Sequence, residues 1–326
     1  MTQASATGPT VTVLVCTYTA LRWPELAAGI AAARDQLRAG DELLVVVDHN
    51  VDLLRRVRAE LGATAMPNTG SRGLSGGRNT GVAASTGDIV LFLDDDACPA
   101  PGWIEAYRAR FADPAVVAVG GSIRPAWEGG VAPRWFPPEF GWVIGCDYIG
   151  LPGDGEPIRN PIGASMAVRR ATLDEVGGFS ELVGRVGTLP VGCEETDLAI
   201  RVRQADPTAV ILRDTTAQVD HLVPRQRQTV KYFMSRCYHE GRSKAVLSRR
   251  VGSADGLSSE RSYATKVLPR GMVTHLKAVG GGDGYGVLRA GLVPVGLGAT
   301  GIGFVSARLR RRSSVATSAA PTTANG

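Results

Sequence analysis

An apolar run that ends in three consecutive aspartates is the strongest constraint in this sequence. In GDIVLFLDDDACPAPGW, Gly87 to Trp103, the residues Ile89, Val90, Leu91, Phe92 and Leu93 form a continuous hydrophobic segment bounded by Gly87 and Pro99. Such a run fits a strand buried on both faces of a parallel sheet. Asp94, Asp95 and Asp96 then stand at its carboxyl end, the edge at which open α/β sheets bind ligands. Side chains alternate along an extended chain, so Asp94 and Asp96 are expected on one side and Asp95 on the other. Adjacent like charges repel, a cost offset by a bound cation or by firm hydrogen bonding. Hard oxygen donors at a strand end suit Mg or Mn carrying a diphosphate. A solvated acidic turn, or a helix cap before Trp103, would use the same residues.

The chain before this run alternates strands with helices. Val11 to Cys16 reads as a first strand leading to Thr17 and Tyr18. Pro24 to Leu37 has helical spacing, Asp41 to Val47 is a second buried strand closing on Asp48, His49 and Asn50, and Val51 to Leu61 is a second helix. That order predicts a right-handed, doubly wound α/β sheet with parallel strands. The glycine-rich segment Gly70 to Gly87 matches neither the P-loop nor the dinucleotide fingerprint, which disfavours a kinase or a dehydrogenase. Arg72, Arg78 and Asn79 open a predicted helix over 77–84, a place for donors facing an anionic ligand, or else part of a surface loop with solvated arginines.

Composition sets outer bounds. The 326 residues are 44% hydrophobic and 21% charged, enough for one large domain or two modest ones, with net charge +5. Basic residues concentrate at Arg308, Arg310, Arg311 and Arg312, and no basic stripe interleaved with aromatics points to nucleic acid. The five cysteines are widely spaced with no C-x-x-C pair, which reads as reduced thiols in a cytosolic compartment. The opening residues MTQASATGPT lack the pattern of a secretory signal, so a cytoplasmic location is expected.

Further along, GCEETDLAIRVRQ, Gly192 to Gln204, suggests a helix with Glu194, Glu195 and Asp197 in its first turn. Acidic residues there either complement the helix dipole or place a carboxylate where it can take a proton from an acceptor hydroxyl. Ala209 to Leu212 and Ala217 to Val219 look like short strands leading to Asp220 and His221, the latter a structural histidine or a metal ligand.

The segments VLVCTYTALRWPELAAGI, VVVDHN, GLSGGRNTG, LFLDDDACPAPGW, NPIGASMAVRRATLDEVGGFSE and GCEETDLAIRVRQ, in this order, resemble the family 2 glycosyltransferases of the GT-A fold over about Val11 to Val223. More narrowly, DHN, PAW, WFPPEFGWVIGCDYIGLP, RNPIGASM, GCEET and CYHEGRSKA resemble the glucosyl-dolichyl-phosphate glucuronosyltransferases and their relatives. The resemblance implies an inverting glycosyltransferase with a mixed, mainly parallel sheet flanked by helices and a C-terminal helical extension. It implies a UDP-sugar donor, with glucuronate or glucose as the sugar, and a glycan or lipid-linked saccharide as acceptor. Thr17, Asp48 and Arg78 would hold the uracil and ribose, Asp94 and Asp95 would serve the uridine side, and Asp96 with Asp94 and His221 would hold Mg or Mn. Glu195 takes the position of the base, with Asn160, Glu194 and Asp197 on the acceptor side. The family's metal motif is often Asp-x-Asp, and here all three positions are acidic. Glutamate at 195, where the family commonly has aspartate, sets the carboxylate one methylene further out. A sugar nucleotidyltransferase would share the sheet and metal logic but needs a lysine-bearing glycine loop near its start; a non-catalytic sugar-nucleotide sensor would not need Glu195.

Between these segments, Gly121 to Gly163 is rich in Trp, Pro and Gly; its aromatics serve a core or stack on sugars. Arg124, Arg134, Arg159 and Arg185 are candidates for a uronate carboxylate. Thr229 to Arg249 reads as an amphipathic basic helix. Val287 to Ala307 is apolar and glycine-rich, a poor bilayer span, but with Arg308 to Arg312 it suits an interfacial helix, as it also suits a soluble one. The expected organisation is a flexible N-terminus over 1–9, a glycosyltransferase domain over 10–227, a helical extension with membrane contact over 228–312, and a disordered tail over 313–326.

Overall fold

Strand β1 (Val11–Thr17) lies between β2 (Glu42–Val47) and β4 (Ile89–Asp94), parallel to both, and β3 (Thr64–Pro67) extends the edge beyond β2. This computed structural model describes residues 8–181, 193–250 and 261–318, and its chain contacts divide it into units at 1–228 and 229–326. The first unit carries one eight-stranded sheet of order β3-β2-β1-β4-β7-β6-β8-β5. Past β4 the sheet becomes mixed. β7 (Ser165–Arg169) runs antiparallel to both β4 and β6 (Val116–Trp127), β8 (Val210–Val223) is parallel to β6, and the short β5 (Ala97–Pro99) closes the edge antiparallel to β8.

Both faces are covered, which is why the strands read as unbroken apolar runs. On one face α3 (Leu74–Ala84) and α6 (Glu194–Ala205) pack Val82, Leu198 and Val202 against Leu14, Val46 and Phe92. On the other, α1 (Trp23–Arg34) and α4 (Trp103–Arg110) bury Leu26, Ile30, Trp103 and Tyr107. Trp103 Nε1 and the Tyr107 hydroxyl both meet Ser165 Oγ, at 2.9 and 2.8 Å. The glycines before β4 serve this packing. A Cβ at Gly76 would fall 2.0 Å from Ser71 O, and one at Gly81 would fall 2.2 Å from Leu14 Cδ1. The segment is therefore a close helix–sheet contact, with α3 starting at Leu74, earlier than the predicted 77.

Two further α-helices lie among the described residues of the unit, α2 (Val51–Glu60), capped by Asn50 Oδ1 accepting from Leu53 N at 3.0 Å, and α5 (Arg170–Val176). β8 is one strand where the sequence suggested two. Its polar middle forms a bulge in which residues 214–217 oppose Gly121 alone, and the Asp214 carboxylate satisfies the freed amides of Thr216 and Ala217 at 2.7 and 3.1 Å. The aromatic segment is largely core: Phe136 and Phe140 are buried, and Trp127 and Trp135 meet Phe136 edge-on.

The second unit contains α7 (Val230–Arg250), α8 (Leu268–Gly280) and α9 (Tyr285–Ser318). α7 and α9 approach closely through small residues, since a Cβ at Gly241 would fall 1.9 Å from Thr300 O and one at Gly303 would fall 2.0 Å from Tyr238 O. α9 continues past Arg312 into the stretch expected to be disordered, as far as Ser318. The remainder of that tail, most of the flexible N-terminus and Arg185 lie outside the described residues.

Candidate active site

The carboxyl ends of β1, β2 and β4 open on one edge, where Thr17 pairs with Val47 and Cys16 with Asp94 in register. Thr17, Asp48 and the acidic triplet are neighbours for that reason. A cavity of about 340 Å³ lies there, lined by Tyr18, Asp48, His49, Asn50, Val51 and Arg72. Asp48 accepts from Asn68 Nδ2 (2.6 Å) and Gly73 N (3.0 Å) and meets His49 Nδ1 at 2.8 Å. It thus ties the β2 end to the start of α3. His49 holds the left-handed backbone at φ +50, a conformation that non-glycine residues adopt mainly under local constraint.

The three aspartates part company at the end of β4. Asp95 is buried, accepts from Thr17 Oγ1 at 2.7 Å and pairs with Arg22 at 2.9 Å. Burial, reinforced by the neighbouring Asp96, pushes its carboxyl up to about 6 against the opposing pull of Arg22 and Thr17. Asp94, Asp96 and His221 converge instead, one ligand atom of each lying within 4.8 Å of the others. Asp96 Oδ1 is 3.1 Å from His221 Nε2, and its Oδ2 faces Arg227 Nη2 at 3.3 Å. Burial works against the Asp96 charge, but His221, Arg227 and Arg22 outweigh it and hold the carboxyl well below its usual range. Burial depresses His221 while Asp96 raises it, with a net rise to about 10. Cys146 Sγ stands 3.6 Å from His221 Nδ1, behind the ring. Two carboxylates and an imidazole at this spacing are a fitting donor set for Mg or Mn.

Arg78 lies among three carboxylates. It is 2% exposed, donates to Gly163 O at 3.0 Å and Glu195 Oε1 at 3.1 Å, and lies 3.5 Å from Glu194 and 3.6 Å from Asp94. Phe92 and Phe179 flank its guanidinium, with ring centroids at 5.7 and 5.2 Å. So enclosed, it holds carboxylates together. Glu195, at the first turn of α6, is the more open of its two glutamate partners, at 16% side-chain exposure against 4% for Glu194. The residue before them, Cys193, sits at φ +84.

Asp197 is fully enclosed and pairs with Arg201 Nε at 2.9 Å, and that arginine also donates to Val176 O and Gly178 O. It clasps α6 to the end of α5. Asn79, likewise, exchanges two hydrogen bonds of 2.8 Å with the Phe179 backbone. Asn160 Nδ2 donates to Pro161 O at 2.9 Å, in the loop that carries Gly163. Of the uronate candidates, Arg124 is engaged by Asp220 through two bonds of 2.9 and 3.1 Å.

Three residues of the site were not singled out from the sequence. Arg22 and Arg227, one on the turn Ala20–Arg22 and one on the turn Arg225–Arg227 after β8, have no local pattern to distinguish them from surface arginines. Gly163 does have a signal, because it lies within the RNPIGASM segment. A Cβ there would fall 1.9 Å from Glu195 Oε1 and 2.7 Å from Arg78 Nη2, so only glycine leaves the carboxylate its place.

The sequence profile described as "Glycosyl transferase family 2" matches residues 12–177. The chain belongs to glycosyltransferase family 2. It is 33% identical over 242 residues to the glucosyl-dolichyl phosphate glucuronosyltransferase of Haloferax volcanii, covering 73% of this chain and 77% of that protein. It is 30% identical over 163 residues to the pre-mycofactocin glycosyltransferase of Mycobacterium tuberculosis, covering 48% of this chain and 33% of that one. Among solved structures, a mannosyltransferase from Pyrobaculum calidifontis in complex with GDP-Man and Mn2+ superposes with a TM-score of 0.60 at 19% identity, over 92% of this chain and 88% of that chain. That likeness is one of fold, and the fold is GT-A. A family 2 chain is a glycosyltransferase, which sets aside the nucleotidyltransferase and sensor alternatives.

Proposed function

We propose that this family 2 enzyme transfers glucuronate or glucose from a UDP-linked donor to a hydroxyl of a lipid-linked glycan. Transfer is metal-dependent, inverts the anomeric carbon and takes place at the cytoplasmic face of the membrane. The observation that carries the reading is the convergence of Asp94, Asp96 and His221 beside the cavity at the β1 and β2 ends, with Glu195 joined to the same cluster through Arg78. Tyr18, Asp48 and Asn50 line a space for the uridine. When bound at the two aspartates and His221, Mg or Mn would stabilise the charge left on the departing diphosphate. Glu195 would accept the proton of the attacking hydroxyl from the opposite side, which is the geometry of a single displacement. The glucuronosyltransferase relative motivates the donor and the lipid carrier.

The test is UDP release across UDP-glucuronate, UDP-glucose and UDP-galactose, with and without EDTA, followed by NMR of the product. Release from one of the first two donors that EDTA abolishes, with a β-linked product from the α-linked donor, is expected. Metal-independent turnover or an α-linked product overturns the reading.

A further inference from the structure

The metal-ligand candidate Asp96 is already occupied by cationic side chains. Its Oδ2 faces Arg227 at 3.3 Å and Arg22 Nη1 at 3.9 Å, and Arg22 also pairs with Asp95. Arg22 bridges the two parts of the site: its guanidinium carbon lies 5.1 Å from the centroid of Tyr18, a wall of the cavity, while its nitrogens reach the aspartates. A diphosphate joining a nucleoside in that cavity to a cation at Asp94, Asp96 and His221 has to cross the space that Arg22 spans. Within it, Arg22 Nε is buried and has no hydrogen-bond partner among the described residues. A buried unsatisfied donor is costly, and an anionic oxygen is its strongest partner.

We propose that Arg22 and Arg227 form a diphosphate clamp, resting on Asp95 and Asp96 in the free protein and turning to the donor's phosphates when a cation takes Asp96. The inference rests on the reading of the site as a metal and nucleotide-sugar site. Charge balance favours the exchange. The cation displaces guanidinium charge from Asp96, and the incoming diphosphate supplies the acceptor oxygens that the arginines lose. Cation and diphosphate should therefore bind synergistically, with the cation alone competing against the arginines.

Calorimetric titration of the full chain with Mn2+ alone, and with UDP or inorganic pyrophosphate at saturating Mn2+, tests this in wild type, Arg227→Met, Arg227→Lys and Arg22→Met. Expected in each methionine variant is tighter binding of Mn2+ alone and about 10-fold weaker binding of Mn-pyrophosphate and Mn-UDP, with partial recovery of the phosphate affinity in Arg227→Lys. Opposite shifts for the two ligands cannot arise from a damaged fold. The clamp is overturned if both affinities fall together or neither changes. A wild-type protein that binds Mn-pyrophosphate through these arginines but not UDP keeps the clamp and refutes the uridine donor, whereas one that binds neither refutes both.

Discussion

Arg78 Nη1 lies 3.1 Å from Glu195 Oε1, and Nη2 of the same guanidinium lies 3.6 Å from Asp94. One buried side chain thus spans from the proposed base to the first of the clustered aspartates, two groups that the proposed single displacement sets on opposite sides of one sugar carbon. Since Arg78 is enclosed among three carboxylates, removing it strands like charges with no cation between them. Arg78→Met should destabilise the first unit by roughly 3–5 kcal/mol, read from urea unfolding. A variant as stable as wild type but unable to bind UDP would return Arg78 to the nucleotide.

Gly163→Ala addresses the same relationship from the backbone. The new methyl occupies the position of Glu195 Oε1, so the carboxylate has to move while the sheet beneath stays as it is. A displacement of about 1 Å at a catalytic group costs about 10²-fold in rate. The expected result is a fall in kcat of that order with UDP affinity unchanged in calorimetry. Unchanged kcat would mean that Glu195 has room to work elsewhere.

Glu195→Gln keeps the size of the side chain and its capacity to accept from Arg78 but removes the base. Turnover should drop about 10²- to 10⁴-fold with little change in UDP affinity. A Glu195→Gln enzyme running near the wild-type rate would move the role to another acid.

Much of this was legible because the first half of the sheet is buried on both faces. Runs such as Ile89 to Leu93 and Leu43 to Val47 have no polar positions to blur their boundaries, and the aspartates mark the strand end. The single β8 strand was hidden by its bulge, where the polar residues Asp214, Thr215 and Thr216 interrupt the apolar run. The role of Arg78 was hidden for a different reason. An arginine beside a glycine-rich run reads as a ligand donor, and only the approach of Glu194, Glu195 and Asp94, far apart in sequence, shows it to be a buried hub. Arg22 and Arg227 were invisible on the same grounds, since each is defined by its approach to Asp95 or Asp96, far away in sequence.

Asp214 gives a pH dependence with a defined sign. Burial alone would raise its carboxyl, but hydrogen bonds from Arg110, at 2.6 Å, and from Thr216 hold it below its ordinary value. A group depressed in the folded state contributes stability that is present above its unfolded pKa and is lost as pH falls through the folded one. Asp214→Asn should therefore cost about 1–3 kcal/mol at pH 7. The gap to wild type should close as pH drops below about 4. Stability curves that stay parallel from pH 7 to pH 3 would show that the bulge does not depend on the charge.

The proposed membrane contact would fall on the second unit. In α9, Tyr285–Leu309 includes a window of mean hydropathy 1.5, only a third of it buried, and Val287, Ile302, Val305 and Leu309 are each more than half exposed. α8 adds exposed Val273 and Leu276 beside Lys277, with Arg270 one turn earlier. Apolar side chains exposed next to basic ones, with Asp283 the one acidic residue among the described residues 261–309, suit a surface of anionic lipid, where each basic residue contributes about 1 kcal/mol. The full chain should float with anionic vesicles at low salt and less so with neutral ones. The double substitution Ile302→Asp and Val305→Asp should leave it in the lower fractions. High salt or alkaline carbonate should release a peripheral helix, whereas resistance to both would mean that α9 spans the bilayer. A wild-type protein that never floats with anionic vesicles would remove the membrane from the reading and leave a soluble acceptor.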